Sequence, residues 1–185
     1  MRRIELEQYI AAPPSRVWPV LCDHEGMPRW MPVREVVRRR PGSPEPNGVG
    51  AIRTIRGMGL VMEEHITGWK SGERFEYVLK EGAPLRDHIG EMVVEPTEDG
   101  TLVRWCVQFR PLVPGTGPLI EHLVRAGLHR GLGRLKRLIE SSENTVLERN
   151  SRDKEPPCPR PRSSRACVRS SNLSESPSAP RAGSR

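Results

Sequence analysis

The stretch AAPPSRVWPVLCDHEGMPRW, residues 11–30, is where a chain otherwise patterned for strands breaks into helix before its C-terminal third. Pro13 and Pro14 suit a helix start, where a missing backbone N–H costs nothing, and Ser15 fits a cap or the first turn. Val17, Val20 and Leu21 recur at helical spacing with Trp18 beside them, which gives this helix one apolar face to bury. Pro19 inside that pattern predicts a short or kinked helix. The Gly and Pro of residues 23–28 predict a break before a second helical turn carrying Met27, Trp30 and Met31.

The flanking sequence supplies the surface on which these helices must lie. Ile4, Leu6 and Ile10 alternate with Glu5, Glu7 and Tyr9 in a half-buried first strand. Residues 33–39 read as a second strand, and PGSPEPNG at 41–48 reads as a turn or exposed loop. Hairpin pattern follows. Ala51, Arg53 and Ile55 share one face of the third strand; Leu60, Met62, Glu64 and Ile66 share a face of the fourth; Phe75, Tyr77 and Leu79 share a face of the fifth. GAPL at 82–85 interrupts the sheet, residues 88–95 continue it, and TEDG at 97–100 turns into a last strand with Val103, Trp105, Val107 and Phe109 on one side. After a Pro/Gly linker, residues 119–140 place Leu and Ile at helical spacing, a helix of about 20 residues.

This order implies an α+β fold: one seven-stranded curved antiparallel sheet, two short helices between strands 1 and 2, and a long C-terminal helix on one face. Residues 1–141 form the domain, and 142–185, rich in Ser, Pro and Arg with no sustained apolar period, form a disordered basic tail. That tail carries nine Lys/Arg against five Asp/Glu, which is +4 of the chain's +7, so the domain is only about +3 and offers no specific nucleic-acid surface. No apolar run reaches the roughly 18 residues of a transmembrane segment, and MRRIELEQYI lacks the apolar block of a signal peptide, so the expected location is cytoplasmic. Cys22, Cys106, Cys158 and Cys167 show no CxxC pairing and are expected to be free thiols. The sequence leaves the oligomeric state open.

A strongly curved sheet closed by a helix tends to leave space inside, and such pockets are apolar with a few polar groups. Gly127 and Gly131 stand four apart on one face of the last helix. Each costs roughly 1 kcal/mol relative to Ala in a helix interior, so they either line a cavity or permit close packing.

The run IAAPPSRVWPVLCD at 10–23, Trp30, GVGAIR at 48–53, Glu64-x-Ile66 and DGTLVRW at 99–105 resemble the START-like helix-grip superfamily called SRPBCC, and within it the polyketide cyclase/dehydrase branch. The resemblance covers residues 2–140 and rests on fold-forming rather than catalytic positions. It implies a deep hydrophobic pocket between sheet and C-terminal helix, which members use to bind lipids, sterols, plant hormones or aromatic polyketides. Some members catalyse cyclisation or dehydration; many only bind.

No metal-ligand cluster or cofactor motif is expected, because the histidines are dispersed and no Gly-rich loop leads into a helix. The strand faces, the helical stretch at 11–31 and the last helix make Trp18, Met27, Trp30, Arg53, Met62, Glu64, Tyr77, Met92, Trp105, Leu123, Gly127 and Gly131 the candidate lining of a cavity for a small hydrophobic or aromatic ligand. Arg53 and Glu64 serve equally well as a buried pair bracing the sheet. An enzymatic alternative gives His88, Glu91 and Tyr77 acid–base roles in a cyclase/dehydrase-like reaction. A third reading makes the domain a scaffold whose tail recruits a partner.

Overall fold

The computed structural model describes residues 1–152, with side chains through residue 141. The strands are β1 (Arg2–Ile10), β2 (Glu35–Arg40), β3 (Ile52–Gly57), β4 (Leu60–Lys70), β5 (Arg74–Glu81), β6 (Leu85–Thr97) and β7 (Gly100–Pro111). The helices are α1 (Pro14–Cys22) and α2 (Gly117–Arg152), with a 3-10 turn at Met27–Arg29. The sheet order is β1-β7-β6-β5-β4-β3-β2, antiparallel throughout. Every neighbour pair except β1–β7 is joined by a direct connection, so the chain needs only hairpins and one closing contact.

Pro14 opens α1 at its first position, with Pro13 extended before it. The helix runs through Pro19 to Cys22 and buries Val17, Trp18, Leu21 and Cys22. The alternation expected of β1 is present, with Ile4 and Ile10 fully buried. Leu128, Leu132, Leu135 and Ile139 of α2 complete the core against the sheet. The far end of that region of α2 is tied down by polar contacts: Lys136 Nζ donates to the Tyr9 carbonyl at 3.1 Å, and Glu140 accepts from the Ala11 N–H at 2.9 Å.

The helix continues to Arg152, past the expected end at Glu140, so the backbone of residues 142–152 is helical where a tail was expected. The disorder and partner recruitment expected of the remaining tail lie outside the described residues. β6 begins at Leu85, earlier than expected, and contains a bulge between Arg86 and Ile89, with Asp87 at φ 51°. That bulge matters for the interior. A regular strand would alternate Leu85 with His88; the extra residue lets both point inward.

β3 and β4 are joined by a two-residue turn in which both Met58 (φ 53°) and Gly59 (φ 75°) are left-handed. A methionine there costs roughly 1–2 kcal/mol relative to its relaxed backbone, whereas asparagine suits the first position of such turns. Met58→Asn is expected to raise stability by about 1 kcal/mol in urea denaturation; an unchanged midpoint would show that the turn carries no such strain.

Candidate ligand-binding cavity

Between the inner face of the sheet and the N-terminal half of α2, packing stops short and leaves a cavity of about 440 Å³. Small-molecule sites span roughly 300–1,000 Å³. Met58, Leu60, Pro84 and Leu123 stand at its rim, and Met58 and Leu123 are both well exposed. Met62, Ile55, Val107 and Val124 line its walls. Glu64 lies four residues along β4 from Leu60, which at 3.3 Å per residue places the polar floor about 13 Å below the rim.

Strand parity puts the polar groups there. Arg53 and Glu64 are direct partners across β3 and β4 and both point inward. Arg53 Nε and Nη2 donate to the same oxygen, Glu64 Oε2, at 2.9 and 2.7 Å. Arg53 is 2% exposed and Glu64 8%, so this ion pair is buried. The guanidinium carbon also stands 5.2 Å from the Tyr77 ring centre and 5.9 Å from that of Phe75, a cation–π arrangement. The pair therefore joins two strands and also faces the cavity.

Tyr77 projects from β5, and its hydroxyl accepts from Trp105 Nε1 at 2.9 Å. Burial, reinforced by the negative charge of Glu64, pushes the phenol pKa up, so the hydroxyl keeps its proton. His88 sits beside it with ring centres 5.6 Å apart. Burial lowers the His88 pKa against the opposing pull of Glu64, which favours the neutral ring, and its Nδ1 has no partner among the described residues.

Gly90 makes this arrangement possible. A Cβ at Gly90 would stand 2.2 Å from Tyr77 Cζ and 2.5 Å from its hydroxyl, so the ring lies flat on a glycine of the neighbouring strand. Gly90→Ala is expected to displace the ring, break the Trp105 hydrogen bond and cost about 1–3 kcal/mol. Urea denaturation followed by tryptophan fluorescence tests this; wild-type stability with an unaltered spectrum would contradict it.

Of the residues expected to line the cavity, Met27, Arg53, Met62, Glu64, Tyr77, Trp105, Leu123 and Gly127 do so, as does His88. Four do not. Trp18 packs edge-on against Trp69 (5.1 Å) and Phe75 (6.3 Å) under α1. Trp30 lies behind Trp105 at 6.1 Å, and Met92 is buried in the core, where the cavity does not reach. Gly131 is a packing glycine, since a Cβ there would meet Met31 Sδ at 2.2 Å, whereas a Cβ on Gly127 would meet nothing within 4 Å. Glu91 departs from its expected acid–base role: it points to the outer face of β6 and pairs with Arg74 at 3.2 Å. Strand parity explains this, because Gly90 and Met92 face inward on either side of it.

Residues that sequence reasoning did not single out include Ile55, Leu60, Leu79 and Val107, although each shares a strand face with a residue that it did. Ala83 and Pro84, from the β5–β6 loop, have no periodic signal that could have revealed them. A second, more open depression of about 670 Å³ lies along the outer side of the β3–β4 turn, with Arg34, Glu35 and Arg56 in its lining. Its charges are the exposed Arg56–Glu35 pair and the exposed Arg34, and it contains no buried polar group. Among the described residues no group of three or more His, Cys, Asp or Glu is placed to hold a metal, and no helix is long and apolar enough to cross a membrane.

A curved seven-stranded sheet folded around a C-terminal helix, with an apolar cavity between them, defines the helix-grip class of domain. Residues 1–140 match the family described as polyketide cyclase/dehydrase and lipid transport, and the chain belongs to that family. A search of the curated proteins returns no match. Among solved structures the chain is similar to a START superfamily protein from Mycobacterium smegmatis, with TM-score 0.65 and 16% identity over 75% of this chain and 97% of that one. It is also similar to XoxI from Bacillus cereus (TM-score 0.64, 19% identity, 77% and 99% covered) and to a Thermus thermophilus protein, TTHA0849 (0.60, 22%, 76% and 99%). At these identities the likeness is one of fold.

Proposed function

We propose that this domain binds a small hydrophobic or aromatic molecule in the cavity between sheet and α2. The observation that carries this reading is the unfilled interior itself. Protein cores pack to the density of organic crystals, so an apolar void of about 440 Å³ roofed by a glycine-bearing helix is space kept open at a cost in stability. Burying an apolar guest recovers that cost through the same transfer of apolar surface from water that drives folding.

Gly127→Leu tests it. The new side chain enters open space on the cavity side of α2, so a fluorescent apolar probe such as 1-anilinonaphthalene-8-sulfonate should lose at least about tenfold in affinity. Stability should hold or rise, since replacing a helix-interior glycine gains up to about 1 kcal/mol. Probe affinity unchanged by the substitution would place binding elsewhere and remove the reading.

A second, enzymatic reading draws on the closeness of Tyr77 and His88. A neutral imidazole accepts a proton and a protonated phenol donates one, which are the two transfers that a dehydration next to a carbonyl requires. Without Glu91, the acid–base set is reduced to these two residues, with Glu64 beneath them.

A further inference from the structure

Resting on the reading of the cavity as a binding site, we propose that the guest carries an uncharged hydroxyl, phenolic or alcoholic, that is received at the floor by Glu64 and Tyr77. After the protein has satisfied its own hydrogen bonds, several polar groups at the floor are left over. Both contacts from Arg53 fall on Glu64 Oε2, and among the described residues no donor is placed on Oε1. The Tyr77 hydroxyl accepts from Trp105, and its own proton has no acceptor among the described residues. Glu64 and Tyr77 thus present one free acceptor and one free donor to the same apolar space from adjacent strands β4 and β5, beside two further unpartnered nitrogens, Arg53 Nη1 and His88 Nδ1. A hydroxyl matches both: it donates to Glu64 Oε1 and accepts from Tyr77. A carbonyl oxygen would leave Oε1 unpaired, and a hydrocarbon would leave both groups unpaired in a water-poor interior.

Charge decides between a hydroxyl and an acid. Arg53 and Glu64 neutralise each other, so the floor has no net charge to offer an ion. A carboxylate would add a third charge to a buried site, directly against Glu64; an ammonium would add one against Arg53. The unpartnered Nη1 of Arg53 is a further donor at this floor, but it brings no net charge, because the guanidinium is matched by Glu64. His88 stands beside Tyr77 at the floor, and its ring can donate to the second lone pair of the same oxygen. The walls above, Met62, Ile55 and Val107, accept a flat or compact apolar frame.

The test uses three probes of one size, 2-naphthol, 2-naphthoate and 2-methylnaphthalene, titrated into the full chain at neutral pH by calorimetry. The expected result is that 2-naphthol binds at least about tenfold tighter than either of the others, the worth of one to two net hydrogen bonds. Tyr77→Phe should reduce 2-naphthol affinity by about tenfold and leave 2-methylnaphthalene unchanged; Glu64→Gln should do the same, and circular dichroism checks that each variant is folded. Tighter binding of 2-naphthoate would overturn the proposal by showing that Arg53 recruits an anion. Equal binding of all three, or an equal loss of all three in folded Tyr77→Phe, would overturn it while leaving the cavity as a binding site. If none of the three binds, both this inference and the binding reading beneath it go.

Discussion

A Glu64→Leu variant is expected to lose about 3–5 kcal/mol of folding stability in urea denaturation, the largest single-residue effect the cavity floor should show. The leucine itself fits an apolar surrounding. The loss comes from Arg53, which is 2% exposed and would keep its charge without the carboxylate that now takes two of its N–H groups at 2.7 and 2.9 Å. Contact with the faces of Phe75 and Tyr77 compensates only part of that. The double variant Arg53→Met with Glu64→Leu should recover most of the lost stability, since an apolar pair of similar volume replaces the ion pair without leaving a charge behind. It should also abolish any preference for a hydroxylated guest. A double variant as unstable as Glu64→Leu alone would mean that the pair braces β3 against β4 through its geometry rather than through charge.

The second large effect is acid sensitivity from His24. This ring is fully buried beneath α1, 5.8 Å from Phe75 and 6.5 Å from Trp69, and neither nitrogen has a partner among the described residues. Burial, together with the positive charges of Arg53 and Arg38, lowers its pKa from 6.5 to about 2. The unfolded chain therefore binds a proton below pH 6.5 that the folded chain refuses until about pH 2, and stability falls as pH drops through that window. The slope is about 1.4 kcal/mol per pH unit, so between pH 7 and pH 5 the loss from this residue is roughly 2 kcal/mol. Urea midpoints of wild type and His24→Phe at the two pH values isolate it: the wild type should lose about 2 kcal/mol more than the variant. Equal losses would show that His24 takes up its proton within the fold.

Much of this architecture is written in period-2 patterns. Ile4 to Ile10, Leu60 to Ile66, Phe75 to Leu79 and Val103 to Phe109 each expose their strand face directly, and with the helical spacing of α2 they specify one sheet and one gripping helix. The same parity brings Arg53, Glu64, Tyr77 and Trp105 together, because it assigns them the inner face. Parity does not tell how deep that face is covered. Met92 is an inward strand residue that the cavity does not reach, and Trp18 and Trp30 lie on the helical segment, where only packing distances separate them from the cavity. Parity also fails across bulges. His88 and Leu85 both face inward because Asp87 adopts a left-handed conformation, which a strand pattern in sequence does not announce. The glycines divide for a similar reason: Gly127 and Gly131 share a helix face, yet Met31 fills the space over one and nothing fills the space over the other.

The central claim is that the space beneath α2 takes an apolar guest. Intermolecular nuclear Overhauser effects between 2-naphthol and the methyl groups of the protein test it most directly, because they report which side chains surround the bound ring. Contacts to the methyls of Met62, Ile55, Val107 and Val124 are expected, all of which line the cavity. Contacts confined to exposed Val113 and Leu119, or no contacts at saturating probe, would contradict the account.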